Sequence, residues 1–446
     1  MKNKLLIITG LLFSVLGSSQ EDSYSLSLKE AIDYALVNNR TAKNAVRDIE
    51  AAKHLKWERE ATGLPQISAK IDYNNWLKQQ ISLIPADFFG GNQGEFAEVA
   101  FGTSQTMNAS IKLEQLLFDG SYLVGLQSAK VFLEVSKNAK EKTDLEIRKA
   151  VINAYGNVLL AQESETILES NKTVLEKNLF ETQKIYENGL TEEENVEQLQ
   201  ITLSSINNSL NQTKRLKGLA IKMLNITLGK DINSNTLLTE DLNDLTIQNI
   251  DLGLITIEEN VENTIDYKIA KNDNRSKELL LKLEKSKALP SLSAFVNGSY
   301  AGNNENFAFL KNDQKWFGSS LIGISMDIPL FSSLGRHAAT QRAKIELEKS
   351  VDNLTETEQQ IKLLIASGKI DYEFAIQQYE TAKQNLNLAE RIEKKIQIKF
   401  FEGISSSFDL RQAQTQLYSS QQGYLRAMLD VITKKAELET VLNTIN

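Results

Sequence analysis

Two proline-free runs of helical pattern constrain this chain more than any other feature. The first follows Phe118-Asp119-Gly120 and extends to about Glu187, before Asn188-Gly189. The second follows Phe331 and Gly335 and extends to about Phe401, before Gly403. At 1.5 Å per residue a helix of about 65 residues is roughly 100 Å long, far beyond a globular domain. In the second run Leu347, Leu354, Ile361, Gly368, Ala375, Ala382, Ala389 and Ile396 recur every seven residues. Val351, Ile365, Tyr372, Tyr379 and Leu386 fill most of a second seam, which Glu358 and Glu393 interrupt. A heptad held that long is a coiled-coil surface. Small Gly and Ala opposite large Tyr and Leu let neighbouring helices approach closely. One helix of an ordinary soluble bundle would supply the periodicity but not the length.

The chain repeats itself. Gly189 and Gly403 are 214 residues apart, and the same offset carries Tyr186 onto Phe400, Gln198 onto Gln412 and Leu203 onto Leu417. It also carries Ile147, Ala154, Ala161 and Leu168 onto Ile361, Gly368, Ala375 and Ala382. Four sequences have the form of a capping box at corresponding helix starts: Ser27 with Glu30, Thr256 with Glu259, Thr191 with Glu194, and Ser406 with Asp409. Each half reads helix, strand, outer loop, strand, long helix, tip turn, helix. The repeats span about residues 26–229 and 256–444, with a polar linker at 230–255.

The four prolines mark boundaries rather than interrupt helices. Pro65 and Pro290 each open a stretch of period-two alternation, Pro329 lies at the far end of another, and Pro85 sits in a loop. Residues 66–76, 107–118, 291–300 and 319–331 alternate, placing Ile67, Ala69, Ile71 and Tyr73 on one face and Ser68, Lys70, Asp72 and Asn74 on the other. Phe295 is an exception to the pattern. Each stretch is about ten residues, the length of a tilted membrane strand. The apolar faces carry no charge, where a Lys or Arg at mid-membrane would cost about 2–4 kcal/mol. Trp76 and Trp316 stand at the loop-side ends, where an aromatic girdle lies. A half-buried soluble sheet gives the same alternation in any single stretch. Four strands cannot close a barrel, and the smallest membrane barrels have about eight, so several copies must share one.

Lys2 and Lys4, the apolar residues 5–16 and the small Gly17, Ser18 and Ser19 form a secretory signal, expected at 1–19 with cleavage near Ser19–Gln20. Residues 20–446 then make a single protomer. No later apolar run approaches the length of a membrane helix, about 18–20 residues. The absence of cysteine excludes disulfides, thiolate metal sites, a cysteine nucleophile and a lipid anchor on cysteine. His54 and His337 lie far apart and read as helix-surface residues, so no metal or cofactor is expected. A net charge of −8 and pI near 5.3 argue against a nucleic-acid binder. No carboxylate spacing picks out an acid–base pair, so no catalytic residue is expected.

The Leu-Lys-Glu-Ala-Ile-Asp-Tyr-Ala-Leu-x-Asn-Asn run at 28–39, the Leu64-Pro65 and Leu289-Pro290 junctions and the Leu-Phe-Asp-Gly turn at 117–120 resemble the TolC-like outer-membrane efflux family. The resemblance covers essentially the whole mature chain. It implies a mainly α protein with membrane β: an internally duplicated protomer of a homotrimer, with a twelve-stranded barrel continued by an α-helical coiled-coil tunnel in the periplasm. It implies a passive exit route, for efflux or type I secretion. The partners would be a periplasmic adaptor (membrane fusion protein), an inner-membrane pump of the RND or ABC type, and outer-membrane lipid. Energy coupling would lie in those partners, since no nucleotide-binding loop is present.

The family's tip closes like an iris near the second tip turn. Asp409 matches the first of two constriction aspartates, and the second falls on Gln412. The family's gating Arg falls on Ser405, its Asp partner on Asn195 and the gating Tyr on Phe400, so the Arg–Asp latch does not transfer. Asp409 also has an ordinary role in closing a capping box. Glu192, Glu193 and Glu194 at the tunnel mouth read first as helix-dipole complements and second as cation ligands. Phe88, Phe89, Phe96 and Phe101, in a glycine-rich loop, could plug the outer mouth, though packing within the loop is the simpler role. Two other classes stay open: an exported coiled-coil structural or adaptor protein, and a periplasmic enzyme or binding protein.

Overall fold

The computed structural model describes residues 24–444; the expected signal at 1–19 lies outside the described residues. In chain order the elements are β1 (Tyr24–Leu26), α1 (Leu28–Asn38), α2 (Arg40–Ala61), β2 (Gln66–Asn75), β3 (Ile81–Pro85), β4 (Phe96–Ala100) and β5 (Gln105–Phe118). The long α3 (Gly120–Glu187) and α4 (Glu193–Leu228) follow, then β6 (Thr236–Leu238), α5 (Leu242–Gln248) and α6 (Gly253–Thr256). The second half continues with α7 (Ile265–Ser286), β7 (Ser291–Asn304), β8 (Trp316–Asp327), α8 (Gly335–Phe401) and α9 (Ser407–Leu442). The chain divides into two compact units.

One unit, Arg47–Asn138 with Ile269–Thr357, is organised on a four-stranded antiparallel sheet in the order β2-β5-β7-β8. The hairpin of each half therefore meets the other through β5 and β7. Strand β8 starts three residues earlier than the alternation suggests and stops at Asp327 rather than Phe331. Pro329 has no N–H for the ladder, and its carbonyl instead accepts from Arg336 Nη2 at 2.9 Å. Strand β5 carries an irregularity between Leu116 and Phe118, just before the turn into α3. That turn is fixed by Asp119, whose Oδ1 accepts from the Tyr122 N–H at 2.9 Å. Strands β3 and β4 form a separate hairpin in the first outer loop.

The other unit, residues 24–46, 139–268 and 358–444, is helical. Its main core gathers Val151, Tyr155 and Val158 of α3, Leu224 and Leu228 of α4, Ile365 and Tyr372 of α8, and Leu425 and Val431 of α9, all nearly inaccessible. Two buried tyrosines each hold backbone at the start of a repeat: Tyr155 Oη donates to Leu26 O at 3.0 Å, and Tyr372 Oη donates to Asn249 O at 2.6 Å. The stretch after α4 is more than a linker. β6 pairs with β1 in parallel, and α5 buries Leu242 and Leu245 in the same core.

The helix that opens the first half breaks at Asn39, where α4 ends. Asn39 Nδ2 donates to Thr227 O at 2.7 Å, and its Oδ1 accepts from Thr41 N at 2.7 Å, capping α2. Gly229, at φ +81°, passes so close that a Cβ would lie 2.4 Å from Asn38 O. Two of the four expected capping boxes form, Ser27 with Glu30 and Ser406 with Asp409. The other two do not. Thr191 Oγ1 accepts from Asn195 Nδ2 at 2.8 Å, leaving Glu192 to start α4 without a side-chain cap. Thr256 ends α6 instead of starting a helix, and its Oγ1 donates to Gly253 O at 2.9 Å.

Candidate functional site

Two regions carry the functional expectations: the sheet and the pair of tip turns. In the sheet, register sorts side chains by chemistry across all four strands. Ile67, Leu113, Val296 and Ile322 form one row, and Ile71, Ala109, Tyr300 and Gly318 another, on the same face. Lys70, Ser110, Ser299 and Ser319 form a row on the opposite face, beside Ser68, Lys112, Asn297 and Leu321. On that face Lys70 pairs with Asp72 at 2.8 Å and Lys112 with Glu114 at 2.7 Å, each along its own strand. The apolar face stays open, with Ile71 at 72% and Ile322 at 78% exposure. Phe295, the exception to the alternation, lies on the polar face across from Gly323, and Lys112 Nζ sits 5.7 Å from its ring centroid. Among the described residues, β2 and β8 are both unpaired along their outer edges.

Trp76 and Trp316 have different surroundings. Trp76 is half exposed, with its backbone N–H donating to Ser104 O at 2.8 Å. Trp316 stands at the edge of an aromatic cluster, its ring centroid 6.3 Å from that of Phe309. Phe309 is buried and packs edge-on to Tyr73 and Phe307 at 5.9 and 5.7 Å. The sequence reading passed over Phe307 and Phe309; their spacing either side of Ala308, next to a strand end, was the available signal. The four loop phenylalanines are all exposed: Phe88, Phe89, Phe96 and Phe101.

The tip turns are built alike. At Gly189, φ +71°, the glycine N–H donates to Tyr186 O at 2.8 Å and Leu190 N–H to Ile185 O at 3.0 Å. At Gly403, φ +73°, the corresponding bonds reach Phe400 O at 3.1 Å and Lys399 O at 2.8 Å. Both are Schellman endings, which need a residue free to adopt positive φ. Each leaves an apolar side chain in the open, Leu190 at the first and Ile404 at the second.

Of the expected gate residues, the fold brings Asp409 and Ser405 together. Asp409 Oδ2 accepts from Ser406 N at 3.0 Å, Ser406 Oγ at 2.7 Å and Ser405 Oγ at 3.1 Å. The backbone bond from Ser406, followed by the two hydroxyls, holds its carboxyl below the ordinary carboxylate range. Gln412 is exposed one turn along α9, in a shallow groove of about 400 Å³ with Phe408, Arg411 and Gln416. Phe400 packs edge-on against Phe401 at 5.4 Å. Asn195 belongs to the other tip turn, bonded to Thr191. Glu192, Glu193 and Glu194 are exposed at the start of α4. Among the described residues no cluster of His, Asp or Glu could hold a metal ion, and no helix is long and apolar enough to cross a membrane.

With this geometry in view, the comparisons with known proteins fall into place. Residues 274–444, from α7 to the end of α9, match the outer membrane efflux protein family. That segment, part of the second half of the chain, is what resembles the family. No curated protein matches the chain. Among solved structures, the fold is similar to that of CusC, with TM-score 0.75 and 17% identity over 94% of this chain and 92% of that one. It is also similar to VceC of Vibrio cholerae, at TM-score 0.71 and 14% identity over 93% and 95% of the chains. The Campylobacter jejuni outer membrane channel CmeC gives TM-score 0.71 and 16% identity over 93% and 85%. The likeness to these structures shows a shared, mainly helical fold along nearly the whole chain.

Proposed function

We propose that three copies of this chain close a twelve-stranded barrel in the outer membrane, continued by an α-helical tunnel in the periplasm. The assembly gives passive exit to substrates driven by an inner-membrane pump of the RND or ABC type through a periplasmic adaptor. The observation that carries the reading is the sheet. Its apolar face bears no charge from row to row, its polar face pairs Lys70 with Asp72 and Lys112 with Glu114, and among the described residues both of its edges are open. In lipid an open edge leaves backbone groups unsatisfied, so β8 of one copy must meet β2 of the next. In the helical unit α8 and α4 both carry exposed apolar side chains that contacts between copies would cover: Leu363, Ile370 and Phe374 on α8, and Leu216, Leu219 and Met223 on α4.

Trp76 and Trp316 mark the outer interface, and the adaptor docks on the turns at Gly189 and Gly403, where Leu190 and Ile404 are displayed. Asp409 and Gln412 line the constriction from α9, with Ser405 holding Asp409, and Phe400 and Asn195 supply contacts between copies. Outer-membrane fractionation with heat-modifiable migration tests the barrel, and planar-bilayer conductance tests the route. A mature chain that stays soluble without detergent and opens no conductance contradicts the reading. Asp409→Ala is expected to change leak conductance or cation block; unchanged traces remove Asp409 from the gate.

A further inference from the structure

Glu393, which interrupts the coiled-coil seam of α8, is not used by the gate just described, and it lies against a group in an unusual state. Gln414 of α9 is 1% exposed, and neither its Nε2 nor its Oε1 has a hydrogen-bond partner of normal geometry. The half-buried side chain of Glu393 is a polar neighbour of that amide. An amide edge offers one donor and one acceptor. A protonated carboxyl offers the complement, an O–H donor and a carbonyl acceptor, whereas a carboxylate offers acceptors alone. We infer that Glu393 and Gln414 form a proton-operated clasp between α8 and α9. With a proton taken from solvent, the Glu393 O–H donates to Gln414 Oε1 while Gln414 Nε2 donates to the other carboxyl oxygen. When the proton returns to solvent, Nε2 keeps an acceptor but Oε1 faces a like-charged oxygen inside the seam, and the two helices loosen.

The surroundings favour this behaviour. From α9, Tyr418 faces Glu393 and is its titratable neighbour; burial and the Glu393 charge both raise the phenol, so it stays neutral. From α3, Asn178 reaches the same layer, its Oδ1 accepting from Gln397 Nε2 at 3.1 Å, one turn along α8. Where α3 and α4 pack on Tyr418 they do so through an apolar cluster that includes Leu175 and Leu199. On α8 itself Glu390, Arg391, Lys394 and Lys395 are exposed, and among the described residues none forms an ion pair with Glu393. Burial therefore holds the carboxyl above its ordinary range, with the Gln414 amide opposing in part. Between the ordinary and the raised value the folded form binds more protons than the unfolded, so stability falls as pH rises through that window. The clasp closes in acid. On the channel reading this end of the bundle is periplasmic, so external acidity would stiffen the tip.

Hydrogen exchange of the full chain in detergent, corrected for intrinsic rates, tests the clasp without reference to conductance. Peptides around Glu393 and Gln414 should gain about fivefold protection between about pH 8 and pH 5, while peptides around Val151 stay level. Glu393→Gln should be protected at both pH values, because a neutral amide supplies the missing donor. Gln414→Leu should remove the pH dependence without that gain, and serves as the second variant if Glu393→Gln disturbs folding. Equal pH profiles for the wild type and Glu393→Gln overturn the inference, whether or not the protein conducts.

Discussion

Along α3 the helical body changes character. Around Tyr155 the buried side chains are Val151, Ile152, Val158 and Leu159, joined by Leu425, Val431 and Ile432 of α9 in an apolar core. Further along, Ser164, Asn171 and Asn178, one heptad apart, and Thr182 are buried beside Leu168 and Leu175. Asn171 Nδ2 donates to Gln421 Oε1 at 2.8 Å, and Asn178 accepts from Gln397, so amide contacts join α3 to α8 and α9 there alongside the apolar packing of Leu168 and Leu175. Apolar packing stabilises without direction, while buried amides cost stability and specify register. One stretch gains its stability from packing; the other spends some of it on fixing an alignment. The sheet repeats the contrast across its two faces, one fit for lipid and the other for water.

The contrast fixes an order of sensitivity. Leu425→Ala, in the apolar stretch, should cost about 2–5 kcal/mol in thermal or denaturant melts of the detergent-solubilised protein. A cost near zero would mean the core is not where stability resides. Ile111→Lys on the apolar face of the sheet should cost about 2–4 kcal/mol and deplete the outer-membrane fraction, while Ser110→Lys on the polar face assembles normally. Equal behaviour of the two would erase the distinction between faces. Asn171→Leu alone strands the Gln421 amide and should cost about 1–3 kcal/mol, whereas adding Gln421→Leu should recover that loss and make the tip more stable than the wild type. If single and double variants melt alike, the amide layer is not a layer.

The smallest effect belongs to the α9 cap. Ser406→Ala should cost about 1 kcal/mol. Because Asp409 has a lowered carboxyl, its contribution is present above the unfolded value and lost as pH falls through the folded one. The start of α9 should fray in acid under hydrogen exchange, opposite in sign to the Glu393 layer, and Ser406→Ala should flatten that response.

Much of the fold was legible because its signals are local. The Asp119 cap and the glycines at 189 and 403 bound α3 and α8 at the residues where the helical pattern stops. Period-two alternation located the four sheet strands, and the Ser406–Asp409 box was readable from spacing. What escaped depends on distant contacts. The break at Asn39 is imposed by Thr227 and Gly229, and Thr191 serves Asn195 instead of capping a helix. Pairing of β5 with β7, and the packing of Phe309 beneath Tyr73 and Trp316, join halves of the chain that no local pattern links. The amide layers did leave a trace in the heptad spacing of Ser164, Asn171 and Asn178. Of the residues proposed for the gate, Ser405 touches Asp409 through a contact that the local cap makes readable.

The cysteine-free chain allows a direct test of the pooled sheet. One cysteine introduced in β2 and one in β8, scanned along both strands and oxidised in intact outer membranes, reads the open edges. Disulfide-linked dimers and trimers, with no larger species and with yield peaking at a single strand register, are the expected result. Monomer at every pair of positions, in membranes that contain the protein, would contradict the claim that these edges meet across copies in lipid.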